Sequence, residues 1–258
     1  MPTLKHFWSE LMIFAYKQAQ CAIFGGLILF FLILTKYVSV PFLHRYDFLF
    51  IIAILIQIAL VFFKLEEKKE VFVIAVFHIF AMIMEVFKTS PAVGSWSYPE
   101  PAIASIYSVP LFTGFMYSAI GSYIARSWRI NKFRFQNMPR RSILMLIGLA
   151  IYVNFFTNHF TYDVRYELFA LLIIIFWKTK IHVELTRKTY VFHPLITNAL
   201  LALFVWLSEQ IGTFARAWVY PNQAEVWRPV SFHMYTSWYM LLIFSFVIIS
   251  VLYQKRLD

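Results

Sequence analysis

Apolar runs poor in charge recur eight times along this 258-residue chain, at residues 21–40, 48–65, 71–87, 103–125, 142–156, 166–179, 195–211 and 237–253. A helix needs roughly 20 apolar residues to cross the hydrocarbon of a bilayer. Six runs come close to that length. The fifth and sixth are shorter and require ends that snorkel, with Trp177, Lys178 and Lys180 reaching the headgroups. Only 14% of residues are charged and 61% are apolar, where soluble domains carry about a quarter charged. The expected fold class is therefore all-α, a polytopic transmembrane helix bundle of about eight spans. Residues 1–20 carry Lys5, Glu10 and Lys17 among apolar side chains and lack a cleavage site, so they read as an interfacial helix. One cysteine, Cys21, excludes an intrachain disulfide and a cysteine-cluster metal centre. No metal or cofactor is expected.

The net charge of +10 invites a nucleic-acid reading, but its residues sit in short loops between apolar runs, and no soluble basic groove is left. Membrane orientation explains them. With eight spans, 17 of the 23 Lys and Arg residues fall on the side shared by both termini and the even-numbered loops, and 6 on the other. The positive-inside rule then puts both termini in the cytoplasm of a cell membrane.

The chain also repeats itself. Arg45-Tyr46-Asp47 is matched by Arg165-Tyr166-Glu167, Glu85 by Glu209, Trp96-Ser97-Tyr98-Pro99 by Trp218-Val219-Tyr220-Pro221, and Met116-Tyr117-Ser118 by Met234-Tyr235-Thr236. The offsets are 120, 124, 122 and 118, in one order. Matching spans differ by four, so both copies enter the membrane in the same direction, as parallel repeats related by an axis along the membrane normal. The organisation expected is an interfacial helix at 1–20, a four-helix repeat at 21–125, a basic cytoplasmic loop at 126–141 and a second repeat at 142–258. A site between the repeats near the extracytoplasmic face follows.

Carboxylates are costly inside a bilayer, so Glu85 and Glu209 are the leading chemical candidates, as an acid and base pair. Their structural alternative is ion pairing, Glu85 with Lys88 one turn on and Glu209 with Arg216. The loop 94–100, with Trp96, Tyr98 and Glu100, and its copy with Trp218 and Tyr220 would supply aromatic walls for an apolar ligand; an interfacial aromatic belt is the alternative. A third polar group gathers Asn154, His159, Asp163 and Arg165. His159 and Asp163 make a second possible acid and base couple, although a loop hydrogen-bond cluster accounts for them as well, and two ligands do not define a metal site. Lys88, Tyr117 and His233 complete the candidate ligand-binding set. His78, seven residues before Glu85, reads as a packed histidine.

The segments 85–88, 94–100, 109–118, 154–160 and 209–221 closely resemble the bacterial membrane family of domain of unknown function 817, the YoaT-like proteins, over nearly the whole chain. That resemblance implies a bacterial inner-membrane protein and assigns no activity. A weaker one, in the duplicated Trp-x-Tyr, loop and Val-Pro arrangement, is to the membrane lycopene cyclases and carotenoid hydratases, which protonate polyenes with carboxylates. Those enzymes carry paired acids after the proline, whereas Leu111-Phe112-Thr113-Gly114 follows Pro110 here. Three functions stay open: a protein that binds or modifies an isoprenoid-like lipid, a small-solute or proton-coupled transporter, and a non-catalytic lipid-binding or assembly protein. Membrane lipid is the one partner expected, and oligomeric state is undetermined.

Overall fold

The structure is a computed structural model that describes residues 4–185 and 188–253. Arg187, Lys255 and Arg256, which enter the charge count above, lie outside the described residues. The chain folds into helices α1 (Leu4–Cys21), α2 (Ile23–Tyr37), α3 (Arg45–Phe62), α4 (Lys68–Lys88), α5 (Phe112–Ile130), α6 (Arg141–Thr157), α7 (Arg165–Phe176), α8 (Pro194–Phe214) and α9 (His233–Tyr253). Each of the eight apolar runs therefore holds one helix, α2 to α9. Among the described residues, α3, α4, α8 and α9 are long and apolar enough to cross a membrane; a fifth span arises if α1 and α2, bent by 68°, count as one. At 12 residues α7 is about 18 Å long, shorter than the roughly 30 Å hydrocarbon core, so it crosses only where its ends snorkel. Large apolar side chains point outward along the bundle, among them Phe62, Ile79, Leu146, Ile174 and Phe204, each more than half exposed. Water does not tolerate a surface of that kind over so wide an area, and lipid does.

Local chemistry sets several helix ends. Glu67 and Glu70 close a capping box at the start of α4. Pro194 opens α8 in the first turn, where a missing N–H costs nothing, and the His193 side chain accepts from the Leu195 N–H. Two glycines bring α4 and α5 together. A Cβ on Gly114 would lie 2.4 Å from His78 Nδ1, and one on Gly121 would lie 2.8 Å from Phe77. One buried apolar cluster joins α4, α6, α7 and α9 around Leu144, Ile151, Leu172 and Leu242. A second joins α2, α3 and α5 around Phe24, Leu32, Leu49 and Phe112.

Two features depart from the sequence reading. The fold is not purely helical: β3 (Arg134–Gln136), β4 (Lys180–Glu184) and β5 (Thr189–Phe192) form an antiparallel sheet in the order β3-β4-β5, and β1 (Ser105–Ile106) pairs with β2 (Val109–Pro110). Nor is 126–141 a loop throughout, since α5 runs on to Ile130 and β3 follows it. Arg126 is buried inside α5, with Nη1 3.8 Å from Glu66, and Arg129 donates to Glu70 at 2.8 Å. Buried cations require partners, and the acidic residues leading into α4 supply them. The N-terminal helix lies against this same end of the bundle. Lys17 donates to the carbonyls of Glu184 and Leu185, and Gln18 accepts from Tyr123.

Candidate functional site

Glu85, on the last turn of α4, is 1% exposed, and Glu209, on the last two turns of α8, is 3% exposed. Neither forms the ion pair expected from spacing. Glu85 accepts from Trp96 Nε1 at 2.9 Å, Tyr98 Oη at 2.6 Å and Tyr117 Oη at 2.7 Å. Glu209 accepts from the Tyr220 hydroxyl and from Trp238 Nε1 at 2.6 Å. Neutral N–H and O–H donors thus replace the cations that intrahelical spacing offered, because the loops fold back over the helix ends with Trp96, Tyr98 and Tyr220 while the packed helices α5 and α9 add Tyr117 and Trp238. Arg216 instead donates to the Ala224 carbonyl.

The two carboxylates are joined through their donors. The Trp96 ring meets Tyr220 with centroids 6.2 Å apart, and Tyr117 meets Trp238 at 5.9 Å. Ser97 and Val219 exchange both backbone hydrogen bonds at 2.9 Å, an antiparallel bridge between the two Trp-x-Tyr-Pro loops. Gly94, with φ of +57°, makes the turn that sends the first loop back across α4. Burial, then the neighbouring Glu85 carboxylate, pushes the Tyr98 hydroxyl far above its ordinary pKa, and burial with Glu209 does the same to Tyr220. Both phenols stay protonated donors.

Lys88 turns away from Glu85. Its Nζ lies 2.6 Å from His159 Nε2. Partial burial, then Lys88, lowers the His159 pKa, with Asp163 opposing; the ring is neutral and accepts from the ammonium. Asn154 donates to Asp163 at 3.0 Å and accepts from the Val164 N–H, which fixes the loop entering α7. Arg165 lies 3.2 Å from Asp163, donates to Thr236 at 2.7 Å and approaches His233 Nε2 at 3.4 Å. His78 packs on Phe115 at 4.8 Å, away from the carboxylate.

A cavity of about 1240 Å³ lies between α2, α4 and α5 on one side and α8 and α9 on the other. Its walls are mostly apolar. It reaches from Asp163 and His233 down to Phe14 and Gln18 of α1 and to Val183 and Phe192 of the sheet. Of the candidates read from the sequence, Glu85, Lys88, Trp96, Tyr98, Tyr117, His159, Asp163, Arg165, Glu209, Trp218, Tyr220 and His233 line it. Glu100 does not, being held by Arg45 at 2.7 Å, and Asn154 serves behind Asp163. Trp238, which donates to Glu209 and lines the cavity, is the neighbour that sequence reasoning missed; its counterpart by offset is Ile120, so duplication gave no signal for it. Among the described residues no group of three or more His, Cys, Asp or Glu side chains is placed to hold a metal.

The family described as "Protein of unknown function (DUF817)" matches residues 10–246. The chain belongs to the DUF817 family. A relative in Bacillus subtilis (strain 168), "Uncharacterized protein YoaT", is 38% identical over 247 residues, covering 96% of this chain and 93% of its own length. No solved structure matches this DUF817 chain significantly. These matches bear on the family alone and add nothing to the cyclase likeness.

Proposed function

We infer that the protein spans a bacterial cell membrane with eight helices in two parallel four-helix repeats, both termini cytoplasmic, and binds or modifies a lipophilic, isoprenoid-like ligand between the repeats near the extracytoplasmic face. The observation that carries this is the cavity of about 1240 Å³ with the two buried carboxylates on its wall. Such a volume exceeds what a drug-sized ligand needs, and its apolar lining favours a chain-like molecule. The reciprocal Ser97–Val219 bridge supports the duplication: the offset of 122 pairs these two residues, and an antiparallel pair of equivalent positions is what a twofold axis between them produces. Lys17 and Tyr123 contacts that bind α1 to the inner ends of α5 and the sheet support a shared side for the terminus and those loops.

In an enzyme, Glu85 and Glu209 would give and take the proton at a double bond, with Trp96, Trp218 and the tyrosines walling the chain. Native mass spectrometry and lipid extraction of gently purified protein test the reading. A retained polyene or quinone-like lipid, with precursor accumulating in the Glu85→Gln, Glu209→Gln double variant, is expected. Protein that carries no lipid, together with an unchanged lipid profile in a deletion strain, would end it. Because the cavity extends to α1, proton-coupled transport is the second reading. Uptake into liposomes that needs a pH gradient and is lost in Glu85→Gln distinguishes it.

A further inference from the structure

The duplicated elements differ at two positions where they meet the outer end of the cavity, and the differences leave cationic groups with unused donors there. An arginine guanidinium carries five N–H donors. Arg45, at the start of α3, spends four of them: Nε on Thr35, Nη1 on Glu100, and Nη2 on the carbonyls of Leu32 and Ala215. Its counterpart Arg165, 5% exposed, meets Asp163, Thr236 and His233 through its two terminal nitrogens, and its Nε has no protein partner among the described residues. The second difference lies one turn past each carboxylate. By the offset of 124, Lys88 corresponds to Gly212, where the absent side chain makes room for the Trp218 ring, 2.1 Å from where a Cβ would stand. The first half thus presents an ammonium where the second presents an indole. Lys88 is 7% exposed and has the neutral His159 ring as its one hydrogen-bond partner among the described residues.

Lys88 and Arg165 therefore share the cavity's outer end, and only Arg165 is in an ion pair, with Asp163 at 3.2 Å, while Lys88 pairs with a histidine ring and with no carboxylate among the described residues. Buried charge without an opposite charge is costly, and a bound anion would remove that cost. The donors form a planar guanidinium edge beside an ammonium, a set that suits a carboxylate or phosphate. Below them the walls become apolar.

We propose that the ligand is an amphiphile with an acidic head, a carboxylate or a phosphate monoester, seated between Lys88 and Arg165 with its apolar chain running down the cavity toward α1. His159 and His233 flank the head and add hydrogen bonds to it. This rests on the reading of the cavity as a lipophilic site, and supplies the head-group chemistry that reading lacks.

The test uses purified full-length protein in dodecyl maltoside and follows quenching of tryptophan fluorescence by four probes with one C16 chain: palmitate, hexadecyl phosphate, hexadecanol and hexadecyltrimethylammonium. The two acidic probes are expected to bind at least about tenfold more tightly than the alcohol, a difference of about 1.4 kcal/mol. Lys88→Gln and Arg165→Gln should each bring the acids down towards the alcohol and leave the alcohol's own affinity unchanged. Lys36→Gln, whose lysine is tied to the Phe214 carbonyl outside the cavity, should alter none of them. Equal binding of acid, alcohol and ammonium heads would overturn the proposal while leaving the lipophilic site standing. Binding of none would remove that site itself. Inorganic phosphate producing the same response at the same concentration would also overturn it, by showing a soluble anion site in place of an amphiphile's head.

Discussion

Glu85 is an acceptor surrounded by three donors, and the strength of that arrangement depends on what each donor does when the carboxylate is gone. Trp96 has only an N–H to give, whereas the hydroxyls of Tyr98 and Tyr117 can turn and accept. In Glu85→Gln the amide oxygen can stay with Trp96 and Tyr98, and the amide N–H can donate to Tyr117. The cost should be about 1–2 kcal/mol. In Glu85→Ala all three donors lose their partner in a buried site, and the loss should reach about 3 kcal/mol or more. Thermal unfolding in detergent should rank wild type above Gln above Ala, and equal midpoints for the two variants would contradict this account. His159 titrates in the opposite sense from a salt-bridged histidine. Its folded pKa lies below the ordinary value, so the unfolded chain takes up the proton first as pH falls. Its contribution is full at neutral pH and above, and is lost as pH drops below about 6.5. The unfolding midpoint should therefore fall between pH 7.5 and 5.5, and His159→Gln, which gains no charge, should flatten that fall. A variant as acid-sensitive as wild type would rule out His159 as the cause.

Helix contacts in a membrane depend on small residues that let backbones approach, since lipid offers little hydrophobic drive between helices. Gly114 and Gly121 of α5 are such positions against His78 and Phe77 of α4, while Gly26 of α2 has nothing within 4 Å of where a Cβ would stand. Gly114→Ala and Gly121→Ala should each destabilise by about 1–3 kcal/mol through overpacking. Gly26→Ala should be neutral or stabilising by up to about 1 kcal/mol, because alanine is the better helix former. Midpoints that fall equally for all three would mean that α4 and α5 are not in close contact. The helices themselves were legible, because a long apolar run has few ways to satisfy its backbone in lipid. The sheet leaves a fainter mark: Lys180-Ile181-His182-Val183-Glu184 alternates with period two, but the stretch is short and basic and lies between two apolar runs, where a loop satisfies the same pattern. At the site, residue identities were readable and pairings were not. Spacing of three offers Lys88 to Glu85, yet one intrahelical pair competes poorly with three donors, two delivered by a returning loop and Tyr117 by α5, and neither loop return nor helix pairing leaves a mark in periodicity.

At the scale of the whole molecule, the two halves touch through backbone as well as side chains, and that contact gives the arrangement a direct check. Ser97 and Val219 exchange both hydrogen bonds, which in an antiparallel pair sets their Cα atoms about 5.5 Å apart, within the reach of a disulfide. With Cys21→Ser removing the native thiol, Ser97→Cys and Val219→Cys should form an intrachain bond on mild oxidation. A protease site introduced between α5 and α6 would then leave the halves linked until reductant is added. Both loops must also share one side of the membrane for this to happen. Single cysteines at Ser97 and Asn222 should each react with an impermeant maleimide added outside intact cells. If the paired cysteines fail to bond, or if the single ones are protected on opposite sides, the loops do not meet. The cavity would then lose its outer wall, and the two carboxylates would belong to separate environments in which neither an acid and base pair nor a shared ligand is possible.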